Sequence, residues 1–197
     1  MNLFSVRQLQ YFRCGPVDIE IKAAECIGIS GESGSGKSLL LRALADLDDH
    51  QGEIRLDEIE QHDICAHQWR KKVALLSAET QWWFDTVAEH FTSLPDQYIE
   101  ALGFNQDVSG WSISRLSSGE KQRLGLLRLL ENKPEVLLLD EPTANLDKKN
   151  TKLFEKCVVE YLENNSACAI WVGHDVQQLQ RICHRRYDMD HGQLVSV

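Results

Sequence analysis

Residues 31–38, Gly31-Glu32-Ser33-Gly34-Ser35-Gly36-Lys37-Ser38, have the spacing G-x-x-x-x-G-K-S. That pattern suits one kind of chemistry, the grip of a polyphosphate. Glycines tolerate positive φ and let the backbone approach an anion closely, so successive N–H groups wrap phosphate oxygens where a helix begins. Lys37 reaches the terminal phosphates, the Ser38 hydroxyl is a ligand for Mg2+, and Leu39 carries the loop into the helix. A second pair, Asp140-Glu141, closes the apolar run Val136–Leu139. Carboxylates are costly in a core, so two of them at the end of a buried strand mark a crevice. There Asp140 holds the metal, and Glu141 orients and deprotonates an attacking water.

These groups need elements to position them. Cys26–Ile29 is a short apolar run leading straight into the glycine loop, and leucines at 39, 40, 41, 44 and 47 predict a helix over 37–47 behind it. Val17–Ile21 alternates apolar and polar residues, as a half-buried strand does. Further strands are expected at 53–56, 73–76, 136–139 and 167–172. Helices are expected at 118–132, 150–164 and 176–183, with a helical turn near His67–Arg70. Strands alternating with helices after residue 26 predict an α/β fold with a mostly parallel core sheet. The stretch 79–116 lacks clear strands and carries a Pro95-initiated helical pattern (Tyr98, Ile99, Leu102). It reads as a short helical subdomain set into a core lobe of residues 1–78 and 117–197, the whole forming a single domain.

Three later segments carry a resemblance. Leu116-Ser-Ser-Gly-Glu-Lys-Gln-Arg123 looks like the signature sequence of the ATP-binding cassette (ABC) ATPases, usually written LSGGQ. Leu139–Asp147 looks like that family's acidic strand with its following D-loop, and Val172-Gly-His174-Asp175 resembles its switch histidine. With the glycine loop, four motifs stand in family order over nearly the whole chain. The resemblance implies an ABC-type P-loop NTPase with an N-terminal antiparallel β portion, binding ATP with Mg2+. It further implies a head-to-tail homodimer when ATP is bound, in which Ser117, Ser118, Gly119 and Glu120 of one chain face the nucleotide on the other. Asp147 would contact the partner's glycine loop, His174 would sense the γ-phosphate, and Tyr11 or Phe12 would stack on adenine. Residue by residue, the signature also reads as a helix start, with Ser117 or Ser118 as N-cap and Glu120 reaching back.

The sequence departs from the family at several points. Ala78 stands where a metal-touching glutamine is usual, with Glu79 or Gln81 as substitutes at a shifted position. Ser118 replaces a signature glycine, which requires negative φ there. The segment between Ala78 and Leu116 is short for a transporter ATPase, as in small bacterial export-type cassettes. It carries Trp82-Trp83-Phe84, three large aromatics in a loop where the family meets its membrane partner.

Composition narrows the class. The chain has 197 residues, 43% hydrophobic, with a net charge of −9. That acidity argues against a nucleic-acid coat, which needs a basic surface. No apolar run approaches the ~18–20 residues of a membrane span, and the first residues show no charged-then-apolar leader pattern. The six cysteines include no C-x-x-C pair, so neither a zinc site nor a disulfide framework is expected. Together with the resemblance, this predicts a Mg2+-dependent ATP-hydrolysing subunit of an ABC transporter. It would be cytoplasmic, peripheral on the inner face of the membrane, and would act through a separate transmembrane permease without nucleic acid. The competing reading is a non-transport ABC ATPase of regulatory or repair type. A P-loop kinase or GTPase is disfavoured by the signature-like segment and by the lack of an Asn-Lys-x-Asp sequence.

Overall fold

Side-chain alternation builds the first layer. The computed structural model describes Asn2–Val197. β1 (Asn2–Tyr11) and β2 (Cys14–Lys22) form an antiparallel hairpin, and β2 alternates exposed and buried positions along Pro16–Lys22. β3 (Cys26–Ser30) leads through the glycine loop into α1 (Lys37–Leu44), followed by β4 (His50–Leu56), β5 (Ile59–Glu60), α2 (Ala66–Lys72) and β6 (Val73–Leu76). Helix α1 stops three residues short of the predicted end, where Asp46 turns to a φ of 56°. After the middle segment with its one-turn α3 (Asp96–Ile99) come α4 (Ser118–Glu131), β7 (Val136–Asp140), α5 (Lys148–Asn165) and β8 (Cys168–Val172). The chain ends with α6 (Val176–Ile182), β9 (Arg185–Asp190) and β10 (Gln193–Ser196).

Two sheets result. One is antiparallel, in the order β2-β1-β4-β5. The other runs β10-β9-β3-β8-β7-β6, parallel from β9 to β6 with β10 antiparallel at its edge. The central strands are apolar throughout because both faces are covered. Ile27, Ile29, Leu138 and Ile170 pack toward the antiparallel sheet, α1 and Trp69. Leu137, Leu139, Ala169 and Trp171 pack the other way, against Leu126 of α4 and Phe154 of α5. The strands β7 and β3, which end in Asp140 and at the glycine loop, flank β8 in the centre of this sheet.

The middle segment, 79–116, is less helical than its sequence suggests. Among the described residues it holds α3 and three 3-10 turns, at Ala88–His90, Gln106–Gly110 and Ile113–Arg115. Its apolar residues Val87, Leu102, Phe104 and Val108 are buried in the same cluster as Leu126 and Leu137, so it has no separate core. Arg123 of α4 pins it by donating to the Leu102 carbonyl while lying 4.3 Å from the centre of the Phe104 ring. No helix among the described residues is long and apolar enough to cross a membrane.

Candidate functional site

The glycine loop is held open by its neighbours. Gly31 and Gly36 adopt φ values of 138° and 108°. A Cβ at Gly31 would lie 2.6 Å from the Met189 carbonyl oxygen, and one at Gly36 would lie 2.8 Å from the Cys14 sulfur, so both positions exclude a side chain. Gly34 by contrast faces open space. Lys37 is buried, and its ammonium donates to the carbonyls of Gly31 (2.8 Å) and Glu32 (2.7 Å), with the Ser35 hydroxyl at 3.5 Å. Its charge also acts on the Asp140 carboxylate, favouring the ionised form of that group. Gly36 caps α1 without any side-chain hydrogen bond, leaving the first N–H groups of that helix for an anion.

At the end of the neighbouring strand, the Ser38 hydroxyl donates to the Asp140 carboxylate. Burial pushes the Asp140 carboxyl up from its ordinary value, Ser38 pulls it back, and the adjacent Glu141 pushes it up again. A hydroxyl and a partly desolvated carboxylate are hard oxygen donors, and this pair fits Mg2+. Glu141 takes a φ of 46°, its N–H donating to the Val172 carbonyl at 3.0 Å. Its Oε1 lies 2.8 Å from His174 Nε2, both side chains being partly exposed. They line a cavity of about 700 Å³ together with Thr143, Trp171 and Gln178. Below it, Gln178 donates to Glu155 (2.7 Å) and sits 2.9 Å from the Thr143 hydroxyl, tying the turn after Glu141 to α5 and α6. No motif announced that buried network.

Ser117 is the N-cap of α4 in a full capping box. Its hydroxyl accepts the Glu120 N–H at 3.3 Å, while the Glu120 carboxylate accepts the Ser117 N–H at 2.8 Å. Those hydrogen bonds from Ser117 hold Glu120 below its ordinary carboxylate value against a smaller opposing effect of burial. Ser118 is helical with negative φ, the condition its replacement of glycine requires. Ser117 and Ser118 are exposed. Gly119 packs against the D-loop of its own chain, where a Cβ would lie 2.9 Å from the Asn145 carbonyl oxygen. Asp147, exposed, caps α5 by accepting the Asn150 N–H at 2.8 Å.

The two aromatic candidates separate. Phe12 is 82% exposed and lines a cavity of about 490 Å³ beside Glu32, Ser33, Gly34 and Leu39. Tyr11 is 3% exposed, its hydroxyl against the Met189 sulfur at 3.8 Å, so it has no free face for a base. The expectation for Tyr11 is therefore corrected: the ring braces the loop from beneath. Asp188, His191 and Gly192 of the β9–β10 hairpin also line this cavity. Sequence reading missed them, since Arg185–Asp190 has too many charges to signal a strand. Glu79 and Gln81, the candidate stand-ins for the glutamine missing at Ala78, line a cavity beside Arg70 and Arg128, and the Gln81 carbonyl is held by Arg128 at 3.0 Å. Trp83 and Phe84 are 63% and 49% exposed, while Trp82 is partly covered. Arg128 lies 4.5 Å and 4.8 Å from the ring centres of Trp82 and Trp83.

Residues 14–144 match the ABC transporter family. The chain belongs to that family. Among relatives of this ABC-family chain, Protein STAR1 of Oryza sativa subsp. japonica is 34% identical, covering 92% of this chain and 56% of its own length. The methionine import ATP-binding protein MetN of Protochlamydia amoebophila is 29% identical, over 98% of this chain and 62% of its own. ABC transporter I family member 17 of Arabidopsis thaliana is 30% identical, over 92% and 74%. The chain thus spans less than two thirds of the first two. Among solved structures, a dimeric ATP-binding cassette in a post-hydrolysis state bound to ADP and Pi superposes with a TM-score of 0.81 at 21% identity, covering 97% of this chain and 96% of that one. The cbiO1 protein of Clostridium perfringens superposes with 0.82 at 22% identity, over 98% and 87%. At such identities these two speak to the fold, an α/β ABC cassette.

Proposed function

We propose that this chain binds ATP and hydrolyses it with Mg2+, as the energising subunit of an ABC transporter acting through a separate membrane subunit. The observation that carries the reading is the 2.8 Å contact of Glu141 with His174, next to the Ser38–Asp140 pair. In this reading the loop 31–36 and the α1 N-terminus wrap the phosphates, with Lys37 moving its charge from the loop carbonyls onto the terminal ones. Ser38 and Asp140 hold Mg2+, which neutralises developing charge on the phosphates. Glu141 orients water and accepts its proton, His174 positions Glu141 and senses the γ-phosphate, and Phe12 covers the base. Ser117–Glu120 and Asp147 complete the site of a second copy in an ATP-bound homodimer. The methionine-import naming of MetN and the dimeric cassette bound to ADP and Pi support the transport and dimer parts of this reading. The exposed Trp83 and Phe84 are the proposed docking point for the membrane subunit, at the inner face of the membrane.

The test compares wild type with Glu141→Gln. Release of phosphate from Mg2+–ATP is expected to fall by about 100- to 10,000-fold, while ATP now holds a dimer on a sizing column. A membrane protein recovered with the trapped dimer supports transport. Hydrolysis unchanged by the substitution would sink the catalytic assignment, and a strictly soluble partner would sink the transport assignment.

A further inference from the structure

Two thiols meet on the far side of the parallel sheet from the antiparallel layer. Cys26, the first residue of β3, and Cys183, which ends α6, place their sulfurs 3.7 Å apart. The pairing is built in by the backbone. The Cys26 N–H donates to His184 Nδ1 at 3.1 Å, and the His184 N–H donates to the Cys26 carbonyl at 2.8 Å. Gly28 lies beneath, and a Cβ there would sit 3.0 Å from the Cys183 sulfur and 3.3 Å from a Leu179 methyl, so α6 rests directly on the strand. Both cysteines line a surface cavity of about 260 Å³, rimmed by Glu163, Arg181 and His184. Cys183 is partly exposed and Cys26 buried. Nothing in the nucleotide site uses either thiol.

We propose that Cys26 and Cys183 are an oxidisable dithiol, converted by a hydroperoxide into a disulfide that straps the strand feeding the glycine loop to the helix behind His174. The steps balance. The Cys183 sulfur attacks the peroxide, an S–O bond forms as the O–O bond breaks, and the leaving oxygen takes the thiol proton to give water or an alcohol. The Cys26 sulfur then attacks the Cys183 sulfenic sulfur, the S–O bond breaks, and the departing hydroxide takes the Cys26 proton. Two thiols and one hydroperoxide yield a disulfide, water and the reduced peroxide. Cys183 reacts first because it meets solvent; the hydrogen bond between the two thiols, with burial, keeps the Cys26 thiol well above its ordinary value. Closing the sulfurs to the ~2.05 Å of a disulfide draws α6 onto β3. The strand ends at Ser30, just before Gly31, and α6 starts two residues after His174, so the strap ties together the far ends of the two elements that hold the glycine loop and the switch histidine.

The experiment uses the full chain in a Cys65→Ser background, which removes the exposed thiol. After hydrogen peroxide, peptide mass mapping without reductant is expected to find one cross-linked species joining Cys26 and Cys183, abolished in Cys183→Ser and in Cys26→Ser and reversed by dithiothreitol. A lasting dimedone-reactive Cys183 beside an alkylatable Cys26 would overturn the dithiol, whatever the chain does with ATP. The strap's effect on turnover rests on the proposed ATPase reading. Hydrolysis is expected to fall several-fold on oxidation, to recover with dithiothreitol, and to be spared in Cys183→Ser. A complete cross-link with unchanged turnover would overturn the restraint while leaving the ATPase reading intact.

Discussion

A methyl group at position 119 would lie 2.9 Å from the Asn145 carbonyl oxygen and 3.2 Å from a Leu146 methyl. The first contact is with backbone, which yields only if the whole turn shifts. Gly119→Ala is therefore expected to cost about 1–3 kcal/mol of stability, read as a lowered Tm, and to slow hydrolysis as well. Beside it, Glu120 offers a pH signature. Its carboxyl is held below the ordinary 4.5, first by the Ser117 N–H, so its capping contribution is complete above that value and is lost as the pH falls through the folded-state value. Glu120→Gln should accordingly be less stable than wild type at neutral pH, with the gap closing below pH 4.5, in denaturation curves taken across that range. At this scale the sequence was informative wherever a residue's chemistry is local: Lys37 and Ser117 each act on atoms within a few positions along the chain. It was silent on Gln178, whose partners Thr143 and Glu155 are remote in sequence, and it left Tyr11 and Phe12 equivalent until burial separated them.

Among the elements, the segment after β6 depends on one histidine. His90 is buried; its Nε2 accepts the N–H groups of Trp83 (3.0 Å) and Phe84 (3.1 Å), and its Nδ1 proton goes to the Thr86 carbonyl at 2.9 Å. The ring is thus neutral with its proton on Nδ1, packed within 4.8–5.2 Å of Trp82, Trp83 and Phe84. His90→Ala is expected to cost about 2 kcal/mol through the stranded donors, seen as a lower Tm and faster proteolysis within 79–92. Elements with one dominant period were legible: β7 and β8 from their unbroken apolar runs, α4 from its leucines and N-cap serines, α5 from its amphipathic pattern. The hairpin β9–β10 was not. Of its strand residues Met189 is the fully buried side chain, between charged neighbours that are exposed or half-buried, so a strand made by backbone pairing to β3 leaves little trace in side-chain pattern.

Across the whole molecule, neither Trp83 nor Phe84 lines the cavity at the glycine loop or the one around Glu141 and His174. Replacing both Trp83 and Phe84 by Ala is expected to leave ATP hydrolysis by the isolated chain within about twofold of wild type, as for surface changes remote from chemistry. Recovery of the membrane subunit with the Glu141→Gln dimer should be lost. Loss of hydrolysis in the isolated variant would place those rings in the catalytic machinery instead. The layered α/β plan was readable because its period is set by burial on both faces of one sheet, whereas the sharing of a single core by residues 79–116 came only from long-range packing. The contact of Gly119 with Asn145 has a further consequence at this scale. Signature and D-loop form one hard block in each chain, and in the proposed dimer that block reaches across to the other chain's nucleotide. Neither segment then reports alone: a mixed dimer with one Gly119→Ala chain should lose function at the opposite chain's site, making each protomer the proofreader of its neighbour's catalysis.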